Sequence, residues 1–409
     1  MTSSMPSLFT PEYYQNQYKA FAWLRENSPI HEFRFPVGDI RTWIVSRFDD
    51  VQAVLADPRF SNFAPVHGSS EFKESGMILG ADTVVSRIMT VLDPPDHTRI
   101  RKLAMGSFTP RRTAQWREPT ERVVQAELDR LEKQESPDAV AYASAIPAAV
   151  MGEILGIPLS QYNEMLDAIE RAFHPDDNKD SAQRAFEEIA DYGRTLIIEK
   201  RSMLGDDLMS SFIEARDGDE RFNEDELVAM LALMIMAGLD TTRNLIGSSI
   251  LALFDHPDQR RLLPKWPEIQ ATAVEEFLRY EGALCVGVFR FAKEDMDFRG
   301  TKLPAGAPVV AALQSANRDP DRFTDPDRLD LTRSGPRHLG LGHGLHNCLG
   351  AALARMEAQI AIPAIFERFP DLSLAVPRDQ VTYAENWLLR GLVSLPVDLG
   401  ASRSHRAGG

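Results

Sequence analysis

The residues best arranged for chemistry surround one of the chain's two cysteines. The segment reads Gly340-Leu-Gly-His-Gly-Leu-His-Asn-Cys348-Leu-Gly350 and continues Ala-Ala-Leu-Ala-Arg-Met-Glu. Glycines at 340, 342 and 344 permit backbone conformations closed to other residues, and the alanine-rich stretch from Ala351 is a strong helix former. The spacing predicts a tight loop that delivers Cys348 to the start of a helix. Unpaired amides and the positive end of the helix dipole would there favour a thiolate, as a metal ligand or a nucleophile requires. The bland alternative is a small buried hydrophobe. A zinc site from His343, His346 and Cys348 would crowd three ligands into six residues with no fourth nearby, and a phosphate-binding role for the glycines lacks a preceding strand.

Three further constellations stand upstream. Residues 227–237 are wholly apolar and run into Ala237-Gly-Leu-Asp240-Thr241-Thr242. Asn223 with Glu226 forms a capping-box start and His256-Pro257 a stop, so one helix of about 32 residues, roughly 48 Å long, is predicted. A carboxylate in the middle of so apolar a helix is costly unless paired or useful, and a threonine beside it can bond back to a carbonyl. The pair reads either as a satisfied polar kink or as an acid and an alcohol relaying protons to a buried site. Glu276 and Arg279 lie three apart on one helix face, by default a solvated ion pair. In Asp93-Pro94-Pro95-Asp96-His97, Pro95 suits a helix start, and His97 and Arg101 share a face that could clamp an anion or be merely solvated.

The elements that must position these residues are mostly helical. Thr42–Ser46 reads as a strand and Asp50–Ala56 as a helix, so a small sheet is predicted near the N-terminus. From residue 96 to about 260 the pattern is helical, broken by turn signals at Ser136-Pro137, Pro158, His174-Pro175 and Asp217-Gly218. After Tyr280 come short β-like pieces, Val286–Phe289 and Pro308–Ala312, and a Pro/Asp/Arg-rich stretch over residues 318–337, whose length suggests a functional or packing reason. No linker separates the parts, and a single domain over residues 1–400 with a frayed tail at 401–409 is expected: mainly α with a minor β portion.

Composition narrows the function. With 45 basic and 60 acidic residues the chain carries a net charge of −15, which argues against a nucleic-acid or anionic-membrane surface. Two cysteines suit a reducing compartment. No start reads as a signal or anchor, and the eleven-residue apolar run is too short to span a bilayer, so a cytoplasmic location is expected.

Taken together the four motifs, in this order, resemble the cytochrome P-450 family of haem-thiolate monooxygenases, in particular its soluble bacterial type, from about Pro11 to Leu395. The departure is Leu341, where the family has a phenylalanine that shields the cysteine sulfur. The resemblance implies the cytochrome P-450 fold, with haem b (iron protoporphyrin IX) between the long central helix and the cysteine-bearing loop. It implies Cys348 as axial thiolate, flanked by Gly350, and haem propionates held by His97, Arg101, Arg290 and His346. Asp240 and Thr241 match the acid–alcohol pair that supplies protons during dioxygen activation, with Ala237 and Gly238 leaving room above the iron. Glu276, Arg279 and Arg328 match a structural triad.

The implied activity inserts one atom of O2 into a small apolar organic substrate of natural-product kind, with electrons from a separate ferredoxin and ferredoxin reductase. The ferredoxin would dock near the Cys348 loop, where Arg355 would contribute charge. Pocket walls would be Ser61–Val91, Asn163–Ala172, Met230–Thr242, Leu284–Phe289 and Trp387–Leu389, with Leu233, Met234, Val286, Val288 and Leu388 as contacts and Cys285 as lining or packing. The other readings are a peroxide-dependent or rearranging haem enzyme and a non-catalytic haem or metal binder.

Overall fold

A computed structural model of the chain describes residues 6–75, 77–78, 83–157, 168, 171, 179–215 and 219–400. The expected wall around Asn163–Ala172 thus lies almost wholly outside the described residues, as do the turns at Pro158, His174-Pro175 and Asp217-Gly218 and the tail at 401–409.

The organising element is the helix Glu224–Asp255, 32 residues long. Its start is closed reciprocally: Asn223 Oδ1 accepts the Glu226 amide at 2.9 Å, and Glu226 Oε2 accepts the Asn223 amide at 2.9 Å. Pro257 follows the cap residue His256 and begins a new turn. Against it pack the helix Ala139–Leu155 and the helix Ala351–Arg368, which are themselves tied where Tyr142 Oη donates to Ala361 O at 2.8 Å. Together they enclose the largest hydrophobic core.

The β portion is a five-stranded sheet. Its strands are β1 (Ile30–Phe35), β2 (Ile40–Val45), β3 (Phe60–Ser61), β4 (Arg290–Ala292) and β7 (Pro308–Ala311), in the order β1-β2-β7-β4-β3. The intervening β5 (Met296–Phe298) and β6 (Thr301–Leu303) form a separate hairpin. Strand β2 runs parallel to β7 with Trp43 opposite Val309, and β4 runs antiparallel to β7 with Arg290 opposite the same residue. Residues 286–289, expected as a strand, are irregular. The amides on either side are drawn to two different partners, Cys285 to Leu388 O at 2.9 Å and Gly287 to Ala311 O at 2.8 Å, so no ladder continues.

The helix Trp266–Tyr280 and the irregular stretch after residue 317 explain each other. Glu276 and Arg279 are not solvated, as the default reading had it: their side chains are 1% and 2% exposed. Arg279 Nη1 donates to Asn317 O at 2.9 Å and Pro326 O at 2.7 Å, and Glu276 Oε1 accepts the Asp330 amide at 2.9 Å. One buried ion pair thereby satisfies the backbone of a segment with no ladder of its own. The third member is not Arg328, whose side chain is exposed and which offers only its carbonyl to Arg279 Nη2. Arg333 takes the place, with Nε 3.0 Å from Glu276 Oε2. The chain bends between the two arginines and turns the later one inward. No helix among the described residues is long and apolar enough to cross a membrane.

Candidate active site

The cysteine loop is built by glycines for two different reasons. Gly342 and Gly344 adopt φ of +76° and +71°, a region that favours glycine. Gly340 has ordinary dihedrals, but a Cβ there would stand 2.5 Å from Leu278 O, so the loop lies flush on the helix Trp266–Tyr280 only without a side chain. The Cys348 amide donates to Leu341 O at 2.9 Å, closing the loop through the backbone of the unusual leucine. Helix Ala351–Arg368 starts directly after Gly350 with no side-chain cap.

Cys348 is solvent-accessible, with the bulk of the protein close around it. Burial pushes the thiol above its ordinary range, against the opposing pull of the Gly350 amide and the Arg101 and Arg355 guanidiniums. Desolvation opposes the amide and the cations here, and a positive partner in contact with the sulfur, such as a metal ion, would favour the anion. Cys285, by contrast, is packing: it is buried among Phe289, Phe291 and Val286, and burial pushes its thiol to about 12.

Beside the loop four nitrogen-rich side chains converge from three parts of the chain. His97 and Arg101 come from the helix Asp96–Met105, Arg290 from β4 and His346 from the turn before the cysteine. The His97 and His346 rings are 4.1 Å apart, and Arg101 Nη2 donates to Asn347 O at 2.6 Å. Burial, with Arg290, His97 and Arg101 adding to it, depresses His346 to about 2; burial and Arg101 lower His97. Both His97 ring nitrogens and Arg290 Nη1 are buried without a hydrogen-bond partner. Asp93 lies close enough to favour both charged forms, but its oxygens already accept from the Ser61 hydroxyl and the Asn62 amide. Orphaned donors in such number are what a group with two carboxylates would satisfy, and the residues present fit a haem with its propionates here.

On the central helix the apolar run 227–235 is buried, as is most of the stretch from Asn244 to Leu253, while Ala237 and Asp240 are exposed between them. Asp240, read from sequence as interior, has a side chain 53% exposed and lies 3.5 Å from Arg243, one turn on. Three residues of helical rotation place it with Ala237 on the face the core does not cover. Thr241 Oγ1 donates to Ala237 O at 2.5 Å, so its proton is committed and its free lone pairs act as acceptors. Gly238 serves a different purpose from the expected one. A Cβ would meet Met151 Sδ at 3.1 Å, so the glycine lets the helix Ala139–Leu155 cross closely.

The expected pocket contacts differ in burial. Leu233 and Met234 are buried in the main core, and Val286 is 0% exposed within the aromatic cluster of Phe35, Phe289 and Trp387. Val288 and Leu388 retain partial exposure. A cavity of about 750 Å³ lies at the start of the central helix, lined by apolar side chains such as Phe63, Ile78 and Ile100 and by the charged groups of Lys73, Arg87, Asp96, Asp225 and Glu226. Arg355, expected to offer free charge for docking, is chelated by Glu275. His343, His346 and Cys348 do not form a metal cluster; among the described residues no three His, Cys, Asp or Glu side chains do. Sequence reading missed Arg333, Glu275 and His338. Their one local signal was the doubled glutamate at 275–276.

The family model "Cytochrome P-450" matches residues 150–265 and 268–396. Among curated relatives, vitamin D(3) 25-hydroxylase of Pseudonocardia autotrophica is 38% identical over 395 residues, covering 96% of each chain. The polyketide biosynthesis cytochrome P-450 PksS of Bacillus subtilis is 38% identical over 400 residues, covering 95% of this chain and 97% of its own. The solved structure of PksS superposes with a TM-score of 0.89 at 36% identity, over 97% of this chain and 100% of that one. The chain belongs to the cytochrome P-450 family and has its mainly helical fold with a minor sheet. It is a haem b monooxygenase, and enzymes of this bacterial kind draw electrons from separate redox proteins.

Proposed function

We propose that residues 1–400 form one haem domain in which Cys348 would ligate the haem iron and His97, Arg101, Arg290 and His346 would hold the propionates. The observation that supports this most is the set of orphaned buried donors on His97 and Arg290 beside the Cys348 loop. Haem held there would supply reductive activation of dioxygen, with Cys348 as its thiolate donor. Around it the chain orients and protonates. The Gly350 amide favours the anionic form of the Cys348 sulfur. Thr241, its own proton held by Ala237 O, accepts a hydrogen bond on the open face of the central helix, and Asp240, one residue before it and kept near Arg243, takes protons from solvent and hands them on. Ala237 keeps that face low.

The substrate is a small apolar natural product, oxidised by hydroxylation, epoxidation or a related step. The named relatives act on a vitamin D and in polyketide biosynthesis, and the cavity of about 750 Å³, whose wall mixes apolar with polar and charged side chains, has the size such molecules need. Val288 and Leu388 remain candidate contacts. The electron donors are a ferredoxin and its ferredoxin reductase, in a cytoplasmic setting. Replacing Cys348 with Ser or Ala tests the assignment: loss of the thiolate-type spectrum is expected, and its retention would place the ligand elsewhere. An optical screen of purified protein against apolar natural products identifies the substrate class by the change in haem spectrum on binding.

A further inference from the structure

Adjacent glutamates on the helix Trp266–Tyr280 serve different parts of the chain. Glu276 organises the irregular stretch, while Glu275 faces the cysteine loop. Its carboxylate accepts Arg355 Nε at 2.5 Å and Nη2 at 2.9 Å, and His338 Nε2 lies 3.1 Å from Oε2. His338 Nδ1 accepts the Gly340 amide at 3.0 Å, so the ring proton sits on Nε2 and is donated to Glu275. His338 precedes Cys348 and Arg355 follows it, hence one carboxylate ties down both limbs of the loop. Burial pushes Glu275 up, but the Arg355 and His338 bonds overcome it and hold the carboxyl down at about 2. Arg355 is also one of two guanidiniums whose charge favours the Cys348 anion, and Glu275 offsets that charge at contact distance.

We propose that Glu275 is a positioning residue for the haem-thiolate centre: through His338 and Arg355 it fixes the loop that carries Cys348 and sets how much of the Arg355 charge the sulfur feels. The inference rests on the reading of Cys348 as the haem ligand. It makes the two partners electrostatically opposed. Without the carboxylate charge, Arg355 bears fully on the centre and favours the electron-rich reduced form. Without Arg355, a bare Glu275 disfavours it. A purely structural clamp would loosen the loop in either case and move both variants the same way.

The test is an optical redox titration of the holoenzyme in the wild type, Glu275→Gln, Arg355→Gln and Arg355→Lys. The expected result is a shift of about tenfold in the reduction equilibrium, or 59 mV for one electron, upward in E275Q and downward in R355Q, with R355K returning towards the wild type. Shifts of one sign in both neutral variants, or no shift in either, would overturn the proposal. Should E275Q fail to accumulate folded, R355Q against R355K decides: a lower value only in the glutamine variant supports the proposal, and equal values overturn it. A wild-type holoprotein without a thiolate spectrum would instead overturn the Cys348 reading, and this inference with it, before any variant is compared.

Discussion

Arg290 is a charge the fold holds at a loss. Its side chain is 3% exposed and Nη1 has no partner. Burial pulls the guanidinium well below its ordinary range, down to about 10, with Asp93 opposing only in part. At about 1.36 kcal/mol per pH unit, that depression corresponds to about 3 kcal/mol of native-state destabilisation whenever the arginine is charged. For a basic group with a lowered folded pKa the cost is present throughout the range below about 10 and is relieved as pH rises from there towards the ordinary arginine value. Replacement by methionine, a flexible apolar chain of similar length, should stabilise the haem-free protein by about 2–3 kcal/mol at pH 7. The same change removes a charge-assisted bond to a propionate, worth about 1.5–3 kcal/mol, so haem retention should fall by roughly 10- to 100-fold. Denaturant unfolding of haem-free wild type and R290M measures the first effect, and haem transfer to an excess of an apo-globin the second. The stability gap should narrow at pH 11. A haem-free variant less stable than wild type, or one losing haem at the wild-type rate, would refute the reasoning.

Other expectations follow from single contacts. Thr241→Ala should cut product formed per electron several-fold while oxygen consumption stays within about threefold, as a lost proton-transfer partner requires; unchanged coupling, measured as product against reductant consumed, removes Thr241 from the relay. Glu276→Gln should cost about 3–5 kcal/mol by leaving Arg279 buried and unpaired, and Arg333→Ala should be clearly destabilising, whereas Arg328→Ala stays within about 0.5 kcal/mol; thermal unfolding ranks the three. Gly340→Ala, which forces a Cβ against Leu278 O, should lose about 2 kcal/mol or more, while Gly350→Ala, with open space at its Cβ, should leave unfolding nearly unchanged. The stabilising contribution of Glu275 is complete above its ordinary value of 4.5 and is lost as pH falls through about 2. E275Q should accordingly show a smaller fall in melting temperature than wild type across that window, measured by calorimetry.

Much of the site was legible because it is local. The glycine spacing before Cys348 encodes a turn, the Asn223–Glu226 box and Pro257 bound one helix to the residue, and His97 with Arg101 share a face by helical period alone. Reading failed where a side chain's surroundings come from elsewhere. Asp240 looked interior because eleven apolar residues precede it, yet the neighbouring helices cover a different face at that turn. Val286 is packed within an aromatic cluster whose members come from distant parts of the chain.

The sequence by itself therefore determined the identity of the chemistry-bearing residues and the elements they ride on, since helix period, capping and turn preferences act over a few neighbouring residues. Only the tertiary structure decided the long-range pairings: Arg333 rather than Arg328 against Glu276, 57 residues away; His97 against His346; and the division of labour between Glu275 and Glu276. Those pairings depend on the path of irregular loops through a packed interior, and the satisfaction of buried charges selects that path from many that local preferences would equally allow.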